Sequence, residues 1–174
     1  AITIDDSDEV TAYVADITSG ALALTNQTVT VDSSVDLGVT DARKIANDTS
    51  GAVTATIASG THVSDLTTLY NPGGGNETNA WTITVNSDDA ANQVTAAELN
   101  TLNSATSVAV NLNAVTELKA SNLTDLTTLH TNRGDFSNTS NIATINISDN
   151  GASGAGTAVD YSDLETIVDN YRAA

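Results

Sequence analysis

The sequence predicts an α/β repeat solenoid of short parallel strands and short helices, with full units of roughly 55–60 residues. Three observations predict it. The first is a strand, helix, strand, helix order between Ile83 and Leu129 that recurs earlier and later in the chain. The second is spacing: Asp65 recurs as Asp125, Val29 as Ile83, and Ile83 as Ile145, each about one such unit further on. A period of this size marks stacked units rather than one globular core. The third is composition. Among 174 residues aromatics are 3% and Met and Cys are absent. The core must therefore come from Val, Ile, Leu and Ala, which suit thin stacked layers.

In the central unit, Ile83-Thr-Val85-Asn86 alternates β-branched and polar residues as a strand does. After a polar turn, Thr95-Ala-Ala-Glu98-Leu99 is a capping box followed by apolar residues three apart, which predicts a short helix. Val108–Leu112 reads as a second strand and Asn122–Leu129 as a second helix. Ile2–Asp5, Val29–Asp32 and Ile145–Ser148 match the first strand, and Ala52–Ile57 the second. Val39–Gly51 and Val159–Tyr171 match the first helix, and Val63-Ser-Asp65-Leu66-Thr-Thr-Leu69 the second.

The whole chain thus reads as a single solenoid domain. Residues 1–28 form a partial unit, 29–81 and 82–141 full units, and 142–174 a partial C-terminal unit. The loop Asn71–Asn76 holds the only proline and reads as a connector, and Asp135–Asn141 as a longer polar loop. The last helix, Tyr161–Tyr171, has Ser162 and Glu165 as a capping box and Leu164, Ile167, Val168 and Tyr171 as its buried stripe. Short helical connections imply parallel strands. Ile and Val would then point inward. Thr3, Thr30, Thr84 and Asn146 would form an outward row, beside Asp5, Asp32, Asn86 and Ser148.

Units such as Thr95-Ala-Ala-Glu-Leu-Asn-Thr-Leu-Asn-Ser-Ala-Thr-Ser resemble the Thr/Ala/Asp-rich repeats of very large secreted surface proteins of cyanobacteria and other aquatic bacteria, often adhesin-like. The resemblance spans residues 29–130. It implies an extracellular structural or adhesive role, frequently with bound calcium. The Gly-Gly-x-Gly-x-Asp nonapeptides of RTX calcium rolls are missing, and Gly73-Gly74-Gly75-Asn76-Glu77 is only a loose echo. RTX-type coordination is not carried over.

A net charge of −17, with only five Lys and Arg, argues against nucleic acid and anionic membranes as partners. No stretch approaches the ~20 apolar residues of a membrane span. The chain opens at Ala1-Ile2 already inside a strand, as a processed secreted chain would, so an extracellular or cell-surface location is expected. The acidic turns are the candidate calcium ligands: Asp5, Asp6 and Asp8; Asp32 and Asp36; Asp88 and Asp89; and Asp149. Calcium takes 6–8 oxygens, and carboxylates clustered on tight turns supply several. None has EF-hand spacing, and each turn could equally cap the helix that follows.

Six Asn-x-Ser/Thr sequons occur, no more than chance yields from 18 Asn and 44 Ser or Thr, and the loop positions Asn76 and Asn138 suit glycosylation best. His62 and His130 have no partner at metal-ligand spacing, no Cys is present, and no Ser sits in a nucleophile elbow, so no enzyme is expected. The near absence of aromatics speaks against a glycosidase platform. Threonine rows resemble a flat ice-binding face, but the neighbouring column is Asp, Asn and Ser.

The leading expectation is an extracellular structural protein, a subunit of a surface layer, sheath or filament. A calcium-dependent adhesin segment that contacts carbohydrate or another cell is the alternative. An incomplete unit at either end would be completed by the next subunit, a head-to-tail contact that repeats without closing. Ile2, Ile4, Ile145 and Ile147 are the residues expected at that joint.

Overall fold

The computed structural model describes residues 1–70, 78–86 and 93–147. It is mixed α/β, with short parallel strands and five short helices. In chain order these are β1 (Ile2–Ile4), α1 (Ser7–Ser19), β2 (Val29–Val31), β3 (Asp36–Leu37), α2 (Val39–Asp48), β4 (Val53–Ile57), α3 (Val63–Leu66, continued by a 3-10 turn to Leu69) and β5 (Ala80–Thr82). Then follow β6 (Gln93–Val94), α4 (Ala96–Ala105), β7 (Val110–Asn111), β8 (Glu117–Ser121), α5 (Leu123–Thr131), β9 (Phe136–Ser137) and β10 (Thr144–Ile147).

Local chemistry explains the helices. Asp6 accepts the Glu9 N–H at 2.8 Å and starts α1, which stops at Gly20 in the left-handed region (φ 74°). The capping box of α4 forms as its spacing predicts, with Thr95 and Glu98 each accepting the other's backbone N–H. Asn122 accepts the Asp125 N–H at 2.8 Å and caps α5. In α3 His62 occupies the equivalent position without a side-chain cap, and the helix closes into a 3-10 turn after one turn. The shared Asp-Leu-Thr-Thr-Leu string therefore gives two helices of unequal length.

Strand pairing sets the layers. Ile2 pairs with Val29, Val29 with Val53, Thr54 with Ala80, Thr84 with Asn111 and Val110 with Phe136. Glu117 pairs with Gln93 before it and with Thr144 after it. In every one of these pairs the two partners lie about half an expected unit apart along the chain. β2 and β3 share β4: Val29 and Thr30 take Val53 and Thr54, while Asp36 and Leu37 take Thr56 and Ile57. The two strands expected in the unit 29–81 thus lie side by side in one sheet.

Three expectations are corrected. The strand expected at Ile83–Asn86 lies earlier, at Ala80–Thr82, and leaves only the single bridge of Thr84 to Asn111. Ile145 does not align with Ile2 and Val29; β10 pairs with β8 in a separate three-stranded sheet. The expected polar loop Asp135–Asn141 contains the strand β9, because Phe136 turns its ring into the core as partner of Val110. Helix Tyr161–Tyr171 and the loop Asn71–Asn76 lie outside the described residues.

The core is made as composition requires. Val29, Val31, Val53, Ile57 and Val110 come from the strands, Ile83, Val85 and Leu112 from the residues just after β5 and β7, and Ile45, Leu66, Leu99, Leu102, Leu126 and Leu129 from the helices. Each such side chain contributes about 1.5–3 kcal/mol on burial. Trp81, at 1% exposure, is the large exception. On the opposite face Thr3, Thr30 and Thr54 stand exposed and neighbouring in register. Thr84 sits beside Asn111, and Asn146 lies in the other sheet.

Candidate functional site: acidic turns and a polar cleft

The acidic turn residues serve local structure. Asp6 caps α1, Glu9 returns to accept the Asp5 N–H at 2.8 Å, and Asp8 stands exposed in the first turn, where the helix dipole favours negative charge. Asp32 accepts the Ser34 N–H at 2.8 Å in an Asx turn. Hydrogen bonding from the Ser34 side chain, and then from its N–H, holds the Asp32 carboxyl below the usual carboxylate range. Asp5, Asp6 and Asp36 do converge, with Ser7 and Ser34, on one shallow hollow of about 300 Å³. Among the described residues no group of three or more His, Cys, Asp or Glu is placed to hold a metal. Asp88, Asp89 and Asp149 lie outside the described residues.

Of the two expected glycan acceptors, Asn76 is outside the described residues. Asn138 is exposed, sits at φ 61° and donates one amide proton to Asn111 Oδ1 at 2.8 Å. At the expected joint, Ile4 is buried, Ile2 packs partly against the core, and β1 is the edge of its sheet. Ile145 and Ile147 pack partly against the core from β10. His130 lies in the last turn of α5, with Arg133 Nη1 3.3 Å from its Nε2.

A second cluster was not legible as a site in the sequence. Asn103, from the third turn of α4, donates to Asp135 Oδ2 at 3.2 Å, a contact between residues far apart in the chain. Asp135 ends the 3-10 turn Arg133–Asp135, which leads from α5 into β9. Asn103 and Thr106 form the wall shared by two adjoining hollows of about 430 and 310 Å³. Ser107, Gly134 and Asp135 line the larger, and Tyr70 and Ser104 the smaller. Nothing in the sequence ties Asn103 to Asp135.

No helix among the described residues is long and apolar enough to cross a membrane. Known family models, curated proteins and solved structures were all compared with this chain, and none matches it.

Proposed function

We propose that the chain is an extracellular structural protein: an α/β solenoid whose units stack into a subunit of a surface layer, sheath or filament. The observation that carries this reading is the parallel pairing in which β1, β2, β4 and β7 each meet a strand about half a unit further on. Stacked coils present the same backbone pattern at every level, so one copy can continue another. The acidic surface and the resemblance to secreted Thr/Ala/Asp-rich repeats support an extracellular or cell-surface location, with no catalytic role.

The joint we infer is the edge of β1 that no other strand covers among the described residues. Ile2 donates to Thr28, and Ile4 accepts from Asp32. In a parallel ladder alternate residues bond to opposite neighbours, so the N–H and C=O of Thr3 face the open side. A second copy adding a strand there would give a head-to-tail polymer. Sedimentation and negative-stain microscopy of the purified chain, with and without Thr3→Pro, test this. Proline removes the outward donor and spares the bonds to β2. Filaments from the parent and a folded monomer from the variant support the joint, while a parent that stays monomeric at high concentration removes it.

The second reading is a calcium-dependent adhesin segment, favoured by the Asn103–Asp135 cleft and the hollow between Asp5, Asp6 and Asp36. Calcium would serve in the Asp5, Asp6 and Asp36 hollow, to relieve repulsion between carboxylates.

A further inference from the structure

We propose that the double hollow beside Asn103 binds a neutral saccharide, with Asp135 as the acceptor for its hydroxyl groups. The inference rests on the adhesin reading and names the ligand class and the residues of that reading.

Hydrogen-bond accounting leads to the ligand. The Asn103–Asp135 bond uses one carboxylate oxygen and one amide proton. Asp135 Oδ1 and Asn103 Oδ1 make no hydrogen bond among the described residues. The threonine and serine hydroxyls of the lining have spent their protons, which leaves the second Asn103 amide proton and the Tyr70 hydroxyl. Thr106 donates to the Trp81 carbonyl at 2.8 Å, Ser107 to Asn79 at 3.1 Å and Ser104 to Asn100 at 3.0 Å. Lone pairs on these side chains therefore outnumber free protons, and the complementary ligand is rich in donors.

Two kinds of ligand are rich in donors, hydroxylated rings and ammonium ions. Asp135 is the single charged side chain in the lining of either hollow, and Asn103 already shares its carboxylate. Ammonium recognition draws its strength from several carboxylates or an aromatic cage. Vicinal hydroxyls need only two adjacent acceptors of fixed geometry, and the joined side chains hold these in place before the ligand arrives. Tyr70, half-buried against the core, adds an aromatic surface for the C–H face of a sugar ring in the smaller hollow. The lining is otherwise small and polar, so millimolar affinity is expected, the range in which multivalent display on a polymer gains most.

Gly134 makes the site testable without unfolding it. A Cβ added there meets nothing within 4 Å, so a side chain can start from the rim of the larger hollow without a backbone clash. The experiment titrates ¹⁵N-labelled protein with methyl α-D-mannopyranoside, methyl β-D-galactopyranoside and N-acetyl-D-glucosamine, and separately with propylammonium chloride. At least one sugar should give saturable amide shifts at Asn103, Ser104, Ser107 and Asp135. Asp135→Ala and Gly134→Leu should each weaken that binding at least tenfold, with melting curves matching the parent, whereas Asp8→Ala should bind as the parent does. Shifts from propylammonium alone, or sugar binding that survives both cleft variants, would overturn the proposal. Sugar shifts confined to another surface would end this site and keep the adhesin reading; silence across the whole spectrum would end both.

Discussion

Thr49 and Thr106, about one unit apart in the sequence, do the same work at the ends of two different helices. Thr49 donates its hydroxyl to the Gln27 carbonyl at 2.6 Å and accepts the Gly51 N–H at 3.0 Å. Thr106 donates to the Trp81 carbonyl at 2.8 Å and accepts the Val108 N–H at 3.1 Å. The next residue repeats the match: Ser50 binds the Thr25 carbonyl through its N–H and its hydroxyl, and Ser107 binds Asn79 in the same way. A Thr-Ser pair thus ties each helix end to the backbone of the segment before it.

Replacing either threonine by valine keeps the shape and removes the tie, leaving a carbonyl and an N–H without that partner inside the fold. Thr49→Val and Thr106→Val should each cost about 1–3 kcal/mol in denaturant unfolding. The double variant should cost their sum, since the two share no partner. A loss below a few tenths of a kcal/mol in both would mean that the ties do not hold the layers.

Two glycines should respond in opposite directions. A Cβ on Gly51 would stand 2.3 Å from the Gln27 carbonyl oxygen, backbone that cannot step aside cheaply. Gly51→Ala should therefore destabilise by about 1–3 kcal/mol. Gly38 is the N-cap of α2, has ordinary extended angles (φ −65°, ψ 144°), and has open space where a side chain would go. Gly38→Ser should add a hydroxyl cap and raise stability by a few tenths of a kcal/mol. Equal melting temperatures for the two variants would contradict both statements.

Asp32 should titrate low because Ser34 hydrogen-bonds to its charged form. Its folded pKa lies below its unfolded one. Its contribution to stability is therefore present above the unfolded pKa and is lost as pH falls through the folded value. A carboxyl-detected NMR titration should place Asp32 below the ordinary Asp range, and Ser34→Ala should move it upward. An unchanged Asp32 curve in that variant would show that Ser34 is not the cause.

A net charge of −17 should make stability rise with salt. If carboxylates such as Asp5, Asp6 and Asp36 also collect calcium, millimolar calcium should raise the melting temperature beyond sodium chloride of equal ionic strength. Asp36→Asn should shrink that excess. Identical melts in the two salts would leave these residues as caps and solvated turns.

The sequence made the helices readable, because caps and apolar spacing are local: Thr95 with Glu98, and Asn122 before Leu126 and Leu129, carry their own signals. Parallel pairing was also legible, since strands joined by helices have few other choices. Register was harder. Ile145-Asn-Ile147 has the same alternation as Ile2-Thr-Ile4, yet it joins another sheet, because alternation identifies a strand without naming its neighbour. Of the four two-residue strands among the described residues, β7 lay within the legible stretch Val108–Leu112, whereas β3, β6 and β9 carry no periodic signal and tertiary pairing decides them. The Asn103–Asp135 contact was invisible because it depends on how α4 stacks against the chain after α5.

The proposed stacking is tested most directly by cutting out one repeat. Thr49-Ser50 and Thr106-Ser107 are equivalent, so deleting residues 50–106 joins Thr49 to Ser107 and removes a whole period. Stacked units contact mainly their neighbours and tolerate such a loss, whereas a single globular core does not. Circular dichroism and a urea melt of the shortened chain give the answer. A cooperative transition with the helix and strand signature retained is the predicted result, and a chain that is unfolded or collapsed without cooperativity would contradict it.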